Sequence, residues 1–166
     1  YPVSFRDVVS ALDGGPPLPA QPLVVTFDDG YDDNYNVAFP ILRELGVPAT
    51  FFVSTGHIDN GAPYEYDWLV HIFCHAAAGA RLQVPERDID HALPAELDER
   101  RRVAGELLFR LKGLDAALQT AVINRLENDW GMPRPAAHPD CRPMTWDQLR
   151  EMQHAGMEIG SHGVAH

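Results

Sequence analysis

The sequence predicts an α/β fold built on a parallel sheet, and three observations carry that expectation. Two short β-rich apolar runs, at residues 23–27 and 49–53, flank a stretch whose apolar residues recur at helical spacing. Strand, helix and strand within about thirty residues make a βαβ unit, with parallel strands and a right-handed crossover. A third short run, at residues 157–160, follows another helical stretch near the end of the sequence.

Each element has its own signal. Leu23-Val24-Val25-Thr26-Phe27 follows Pro22 and suits a strand buried on both faces of a parallel sheet. It ends in Asp28-Asp29-Gly30, a turn signal. From Asn34 the period changes: Val37, Ile41, Leu42 and Leu45 recur at helical spacing, and Gly46 with Pro48 stops the helix. Ala49-Thr50-Phe51-Phe52-Val53 is the second strand, closed by Ser54, Thr55 and Gly56. Residues 68–78 read as a helix with Trp68, Leu69, Ile72 and Phe73 on one face. Turns near Pro85 and Pro94 lead into two amphipathic helices over residues 96–112 and 114–130, rich in Arg, Glu and Leu. Pro133, Pro135, Pro139 and Pro143 make residues 131–143 a loop. Thr145 then N-caps a helix with Trp146, Leu149 and Met152 on one face, which ends at Gly156. Met157-Glu158-Ile159-Gly160 is the third strand, followed at once by Ser161-His162-Gly163-Val164-Ala165-His166.

Composition narrows the function classes. With 166 residues, 45% hydrophobic and 22% charged, the chain can bury the core of one globular domain. Its net charge of -11, from 24 acidic against 13 basic residues, repels phosphate backbones. No basic stripe interleaved with aromatics offsets that charge, so nucleic acid is not an expected partner. A neutral or cationic substrate fits better. No apolar run approaches the ~20 residues that span a bilayer, and no signal peptide is visible. The chain starts at Tyr1, without a native start, so the compartment stays open. Cys74 and Cys141 lie far apart without C-x-x-C spacing and are expected as free buried thiols.

The chemistry gathers just past the C-terminal ends of predicted strands, the edge where sites assemble in parallel α/β folds. His162 and His166 are spaced so that a helical turn would present both imidazoles to one ion. One aspartate with two histidines makes a facial triad, which leaves positions for water and a substrate oxygen, as catalysis requires. Two adjacent aspartates allow a division of labour. One carboxylate binds the ion, which lowers the pKa of a bound water, and the other takes the proton as that water attacks a carbonyl. Both can serve one site only where the strand has ended, and Gly30 supplies the freedom for that.

Other candidates read as structural. His71 and His75 repeat the H-x-x-x-H spacing, with Asp67 and Cys74 close by, but lie in an amphipathic helix away from any strand end. Tyr64, Tyr66 and Trp68 could stack on a sugar, yet such a density of aromatics suits a core. His57 and Asp59 follow the second strand and could line a groove. His154 faces solvent. Arg100, Arg101 and Arg102 form a charge run on a solvated helix face.

Thr26-Phe27-Asp28-Asp29-Gly30 and Ser161-His162-x-x-x-His166 resemble the first two signature motifs of polysaccharide deacetylases with the NodB-homology domain, carbohydrate esterase family 4. Pro48-Ala49-Thr50-Phe51-Phe52-Val53, Met144-Thr145-Trp146-Asp147-Gln148-Leu149 and Gly156-Met157-Glu158-Ile159-Gly160 match the habits of that family too. The resemblance implies a distorted, incomplete (β/α) barrel of NodB type. It implies Asp28 as the general base, and Asp29, His162 and His166 as ligands of a divalent metal. That metal is zinc in most members, with cobalt or nickel in some. The implied reaction removes acetyl groups from N- or O-acetylated sugars, so the implied partner is an acetylated carbohydrate, and members are often extracytoplasmic.

The resemblance covers residues 22–53 and 143–166. Between them, residues 54–142 match no motif and correspond to a helical insertion that some relatives carry. The whole chain, residues 1–166, then reads as one partial NodB-like domain, an internal fragment of a longer enzyme. The family's later motifs, an arginine that orients the base and a histidine that acts as general acid, have no counterpart in it. Two rivals stay open: an amidase or imidase of the same fold acting on a small C–N substrate, and a non-catalytic carbohydrate-binding or scaffold module.

Overall fold

The computed structural model describes residues 1–135 and 141–164. In chain order the elements are α1 (Phe5–Leu12), β1 (Val25–Phe27), α2 (Phe39–Leu45), β2 (Ala49–Val53), α3 (Thr55–Asn60), α4 (Glu65–His75), β3 (Arg81–Val84), β4 (Ile89–Ala92), α5 (Leu97–Leu111), α6 (Ala116–Asp129), α7 (Trp146–His154) and β5 (Glu158–Ser161). They divide into two units, Tyr1–Pro63 with Ala137–His166, and Tyr64–Ala136.

The first unit holds the parallel sheet, in the order β1-β2-β5. Thr26 pairs with Thr50 and Phe27 with Phe51, while Phe51 pairs with Ile159 and Val53 with Ser161 on the other side. The α/β class with parallel strands is as the sequence predicts, and among the described residues the sheet does not close into a barrel. β2 is the central strand: Ala49, Thr50, Phe51 and Val53 are buried, and Phe51 and Val53 join Phe39, Ile58, Met144, Leu149, Met152 and Met157 in one apolar core.

The first run corrects the sequence reading. Val25 and Phe27 are only half-buried and Thr26 is exposed, so β1 is an edge strand rather than one buried on both faces. Leu23 is 60% exposed and pairs instead with the N-terminal segment, accepting a hydrogen bond from the amide of Val3 (2.9 Å).

The helix after the first turn begins as a π-helical turn over Asn34–Ala38. Pro40, two residues further on, has no amide to donate and crowds the carbonyl of residue 36, which the wider turn relieves. Phe39 and Leu42 turn to the core, while Val37, Ile41 and Leu45 of the expected stripe stay exposed.

The second unit is built around its own core, with Leu69, Ile72, Phe73, Leu82, Leu107 and Leu126 among its buried side chains. Its three helices lie close to the predicted positions. Between them the structure adds an antiparallel hairpin, Arg81↔Ala92 through Val84↔Ile89, where the sequence reading has only a proline-containing turn. The alternation of exposed Arg81 and Gln83 with buried Leu82 and Val84 is the period-2 signal of a half-buried strand. Tyr64 and Trp68 are buried, as a core role requires.

Arg100 overturns the expectation of a fully solvated arginine run. It is 6% exposed and donates to Phe73 O (3.3 Å), Ala76 O (2.6 Å) and Pro94 O (2.7 Å). The last carbonyls of α4 have no intrahelical partner, and a guanidinium satisfies them while neutralising the negative end of the helix dipole. Arg101 and Arg102 remain at the surface, paired with Asp98 and Glu106. Neither cysteine is in a disulfide; Cys141 is buried and Cys74 only half-buried.

Candidate active site

β1 ends in the turn that carries both aspartates. The amide of Gly30 donates to Asp28 O (2.9 Å), which closes a three-residue turn, and Asp29 at its centre has φ +70°. A non-glycine residue in that region is uncommon and strained, and such strain concentrates at functional sites. Gly30 follows at φ +90°, where a Cβ would stand 2.9 Å from Val53 Cγ1 and 3.0 Å from Val53 Cβ. Only glycine lets the turn close so tightly over β2.

Two neighbouring segments hold this turn, Ser54 after β2 and residues 142–144. Ser54 donates its amide to Asp29 O (3.0 Å), and Met144 donates to Gly30 O (2.8 Å). Asp32 donates its amide to Arg142 O (2.9 Å), while its carboxylate pairs with the Arg142 guanidinium at 3.2 Å. A Tyr31–Pro143 bridge completes this short antiparallel contact.

β5 delivers the second cluster. The amide of His162 donates to Val53 O (2.8 Å), extending the β2–β5 ladder by one residue beyond the strand. The next residues are fastened to the start of α3, where Thr55 and Gly56 donate to Gly163 O (3.1 Å) and Val164 O (2.8 Å). A Cβ on Gly56 would lie 2.5 Å from Val164 O, so a glycine is required there for the contact.

The two clusters meet. His162 Nε2 lies 3.4 Å from Asp29 Oδ1, an oxygen that is itself buried, while the imidazole is partly open to solvent. Asp28 is exposed, and a cleft of about 340 Å³ opens beside it, lined also by Phe27, Tyr31, Asp33, Asn34, Val37 and Ala38. Of the four expected site residues, the structure thus brings together Asp29 and His162, while Asp28, next to Asp29 in the chain, lines the neighbouring cleft. His166 lies outside the described residues. Among the described residues, no group of three or more His, Cys, Asp or Glu donors could hold a metal ion.

The rival H-x-x-x-H pair is arranged differently. The rings of His71 and His75 stack, with centroids 4.1 Å apart and planes 23° from parallel, and Trp68 stacks on His71 in turn. His75 Nδ1 is tied to the carbonyl of His71 (2.9 Å). Ring stacking and this hydrogen bond tie both histidines to α4.

Sequence reasoning missed two features of the region. Ser54 is fully buried, and its hydroxyl has no hydrogen-bond partner among the described residues. Trp146, expected on the buried face of α7 with Leu149 and Met152, is 39% exposed, and its indole N–H donates to Asp59 Oδ1 (2.8 Å). Its position directly after an N-cap that follows the proline-rich loop is the signal that could have marked it as an edge residue.

Asp29, held at positive φ, and His162 converge at the carboxyl edge of a parallel sheet, the edge where ligand sites assemble in such folds. The family model for polysaccharide deacetylases matches residues 15–166, and the chain belongs to that family. It is 41% identical over 61 residues to the poly-beta-1,6-N-acetyl-D-glucosamine N-deacetylase of Escherichia coli K12, a match covering 37% of this chain and 9% of that protein. Among solved structures it is similar to the deacetylase domain of BpsB from Bordetella bronchiseptica (24% identity, TM-score 0.46) and to a de-N-acetylase from Aggregatibacter actinomycetemcomitans (22% identity, TM-score 0.47). Those alignments cover 97% and 98% of this chain but 37% of each solved chain.

No helix among the described residues is long and apolar enough to cross a membrane.

Proposed function

We propose that this chain carries catalytic residues of a carbohydrate deacetylase, an enzyme that hydrolyses the acetyl group from an N-acetylated sugar. The observation that carries the reading is the convergence of Asp29 and His162, at 3.4 Å, in a chain of the polysaccharide deacetylase family. Asp29, His162 and His166 would hold a divalent cation, zinc first, with cobalt or nickel as alternatives. The donor set fits such an ion, since a carboxylate oxygen and an imidazole nitrogen each about 2.1 Å from one tetrahedral centre stand about this far apart. When bound, the cation supplies Lewis-acid polarisation of the acetyl carbonyl and acidifies water.

The chain's own residues do the rest. Asp28 is exposed beside the cleft, free of the ladder that fixes Asp29, and takes a proton as water attacks the carbonyl carbon. The C–N bond then breaks as the proton held by Asp28 passes to the leaving nitrogen, leaving acetate and a free amine on the sugar. The strained turn aims two adjacent carboxylates at different tasks, which a continuous strand would send to opposite faces. The acidic surface suits an amine-bearing product.

The name of the Escherichia coli relative makes β-1,6-linked N-acetylglucosamine the first substrate to test. Acetate release from such oligomers by the zinc-loaded protein should fall about 10²–10⁴-fold in Asp28→Asn, with zinc still bound. Unchanged turnover in that variant would remove Asp28 from the role of base. Release of ammonia from small amides, with no acetate from any oligosaccharide, would favour the amidase reading.

A further inference from the structure

Trp146 follows directly on the segment that holds the aspartate turn, and nothing assigned so far uses it. α7 leads into β5, so the start of α7 lies at the carboxyl edge of the sheet, with Asp28, Asp29 and His162. Two residues before Trp146, the amide of Met144 is bonded to Gly30 O at 2.8 Å, which pins this segment against the aspartate turn. Thr145 fixes the helix start by a capping box with Gln148. The indole is therefore not a loose surface group.

Its chemistry is equally defined. An indole has one polar atom, the N–H donor, and here that donor is satisfied by Asp59 Oδ1 at 2.8 Å. What remains open, in a side chain 39% exposed, is apolar aromatic surface. A solvent-facing aromatic ring locked by a hydrogen bond at its edge presents a rigid surface at little entropic cost. The C–H faces of a hexose are the substrate surface that matches it, and the net acidic chain offers no attraction to an anionic alternative.

We propose that Trp146 is a stacking platform for a sugar ring of the acetylated carbohydrate, with Asp59 as its positioning residue. The inference rests on the deacetylase reading and adds to it a specificity determinant, separate from the residues that carry the chemistry. It accounts for an exposed tryptophan at a helical position whose amphipathic pattern calls for burial.

The test is calorimetric binding of a β-1,6-linked N-acetylglucosamine tetramer to the zinc-loaded protein, with acetate release measured in parallel. Trp146→Ala should weaken binding roughly tenfold and raise KM for the tetramer, whereas Trp146→Phe should stay within about threefold of wild type. Asp59→Ala should weaken binding in the wild-type background and have no effect in Trp146→Phe, because phenylalanine has no N–H for Asp59 to hold. Equal binding by wild type and Trp146→Ala, with acetate still released, overturns the platform and leaves the deacetylase reading standing. The same loss from Asp59→Ala in both backgrounds overturns the positioning role. No tetramer binding and no acetate release in wild type overturn both readings together. Should Trp146→Ala fail to fold, the Trp146→Phe and Asp59→Ala pair carries the same decision.

Discussion

Asp29 is held at φ +70°, where a non-glycine backbone costs on the order of 1–3 kcal/mol. Bonds from Ser54 to its carbonyl and from Met144 to Gly30 O impose that conformation from two directions. Gly30 pays the steric part of the arrangement, with no room for a Cβ against Val53. Gly30→Ala should therefore cost about 1–3 kcal/mol, read as a lower urea midpoint, and should also displace Asp29 from His162. An unchanged midpoint would mean that the turn is not constrained as described. At this scale the sequence is informative where residue types combine: an Asp-Asp-Gly turn is common by itself, and Asp28, Asp29 and His162 stand out because they follow the ends of separate strands that share one sheet edge. Arg100 and Trp146 are not legible in the same way. An arginine in a charge run and a tryptophan in an apolar stripe both follow the common pattern, and only three-dimensional neighbours show one buried against α4 and the other facing solvent.

The elements around the site are joined by polar contacts that no local pattern announces. Glu158, in β5, accepts the amides of Phe5 (3.1 Å) and Arg6 (3.2 Å) at the start of α1 and the hydroxyl of Thr50 (2.8 Å). A carboxylate at a helix N-terminus satisfies orphan donors and complements the dipole. Here it also ties α1 to two strands. Glu158→Ala should lower stability by about 1–2 kcal/mol in thermal or urea denaturation. Arg6→Ala, whose 3.7 Å pair with Glu158 is set on a side chain 85% exposed, should change it by no more than about 0.5 kcal/mol. Equal losses in the two variants would contradict the capping role. The positions of β2, α4, α5, α6 and α7 were readable from apolar spacing, whereas the short helices α1 and α3 were not. The hairpin of β3 and β4 was not, because four-residue strands beside a Pro85 turn give too short an alternation to separate from a loop.

Across the whole molecule, stability should carry a pH signature from the second unit. Arg125 donates two hydrogen bonds to the carboxylate of Glu86, at 2.8 and 2.7 Å, and holds its pKa down at about 2 against an ordinary 4.5. A depressed carboxylate contributes stability that is complete above its unfolded pKa and is lost as the folded group takes up its proton. The contribution should therefore be present above pH 4.5 and disappear as pH falls towards 2, and Arg125→Gln should flatten the stability curve in that window. A curve of the same slope in the variant would contradict the pairing. The class of the fold, three parallel strands with helices between them, was legible from the alternation of β-rich and helical periods. That each of the two units has its own core does not follow from periodicity, because amphipathic helices show that they pack but not against what. The central claim, that Asp29 and His162 are brought together to share a divalent ion, is tested most directly by calorimetric titration of this chain with zinc. One equivalent should bind to wild type and to Asp28→Asn, and binding should be lost in Asp29→Ala and His162→Ala. Zinc bound with the same affinity in Asp29→Ala and His162→Ala, or no zinc bound by wild type, would contradict it.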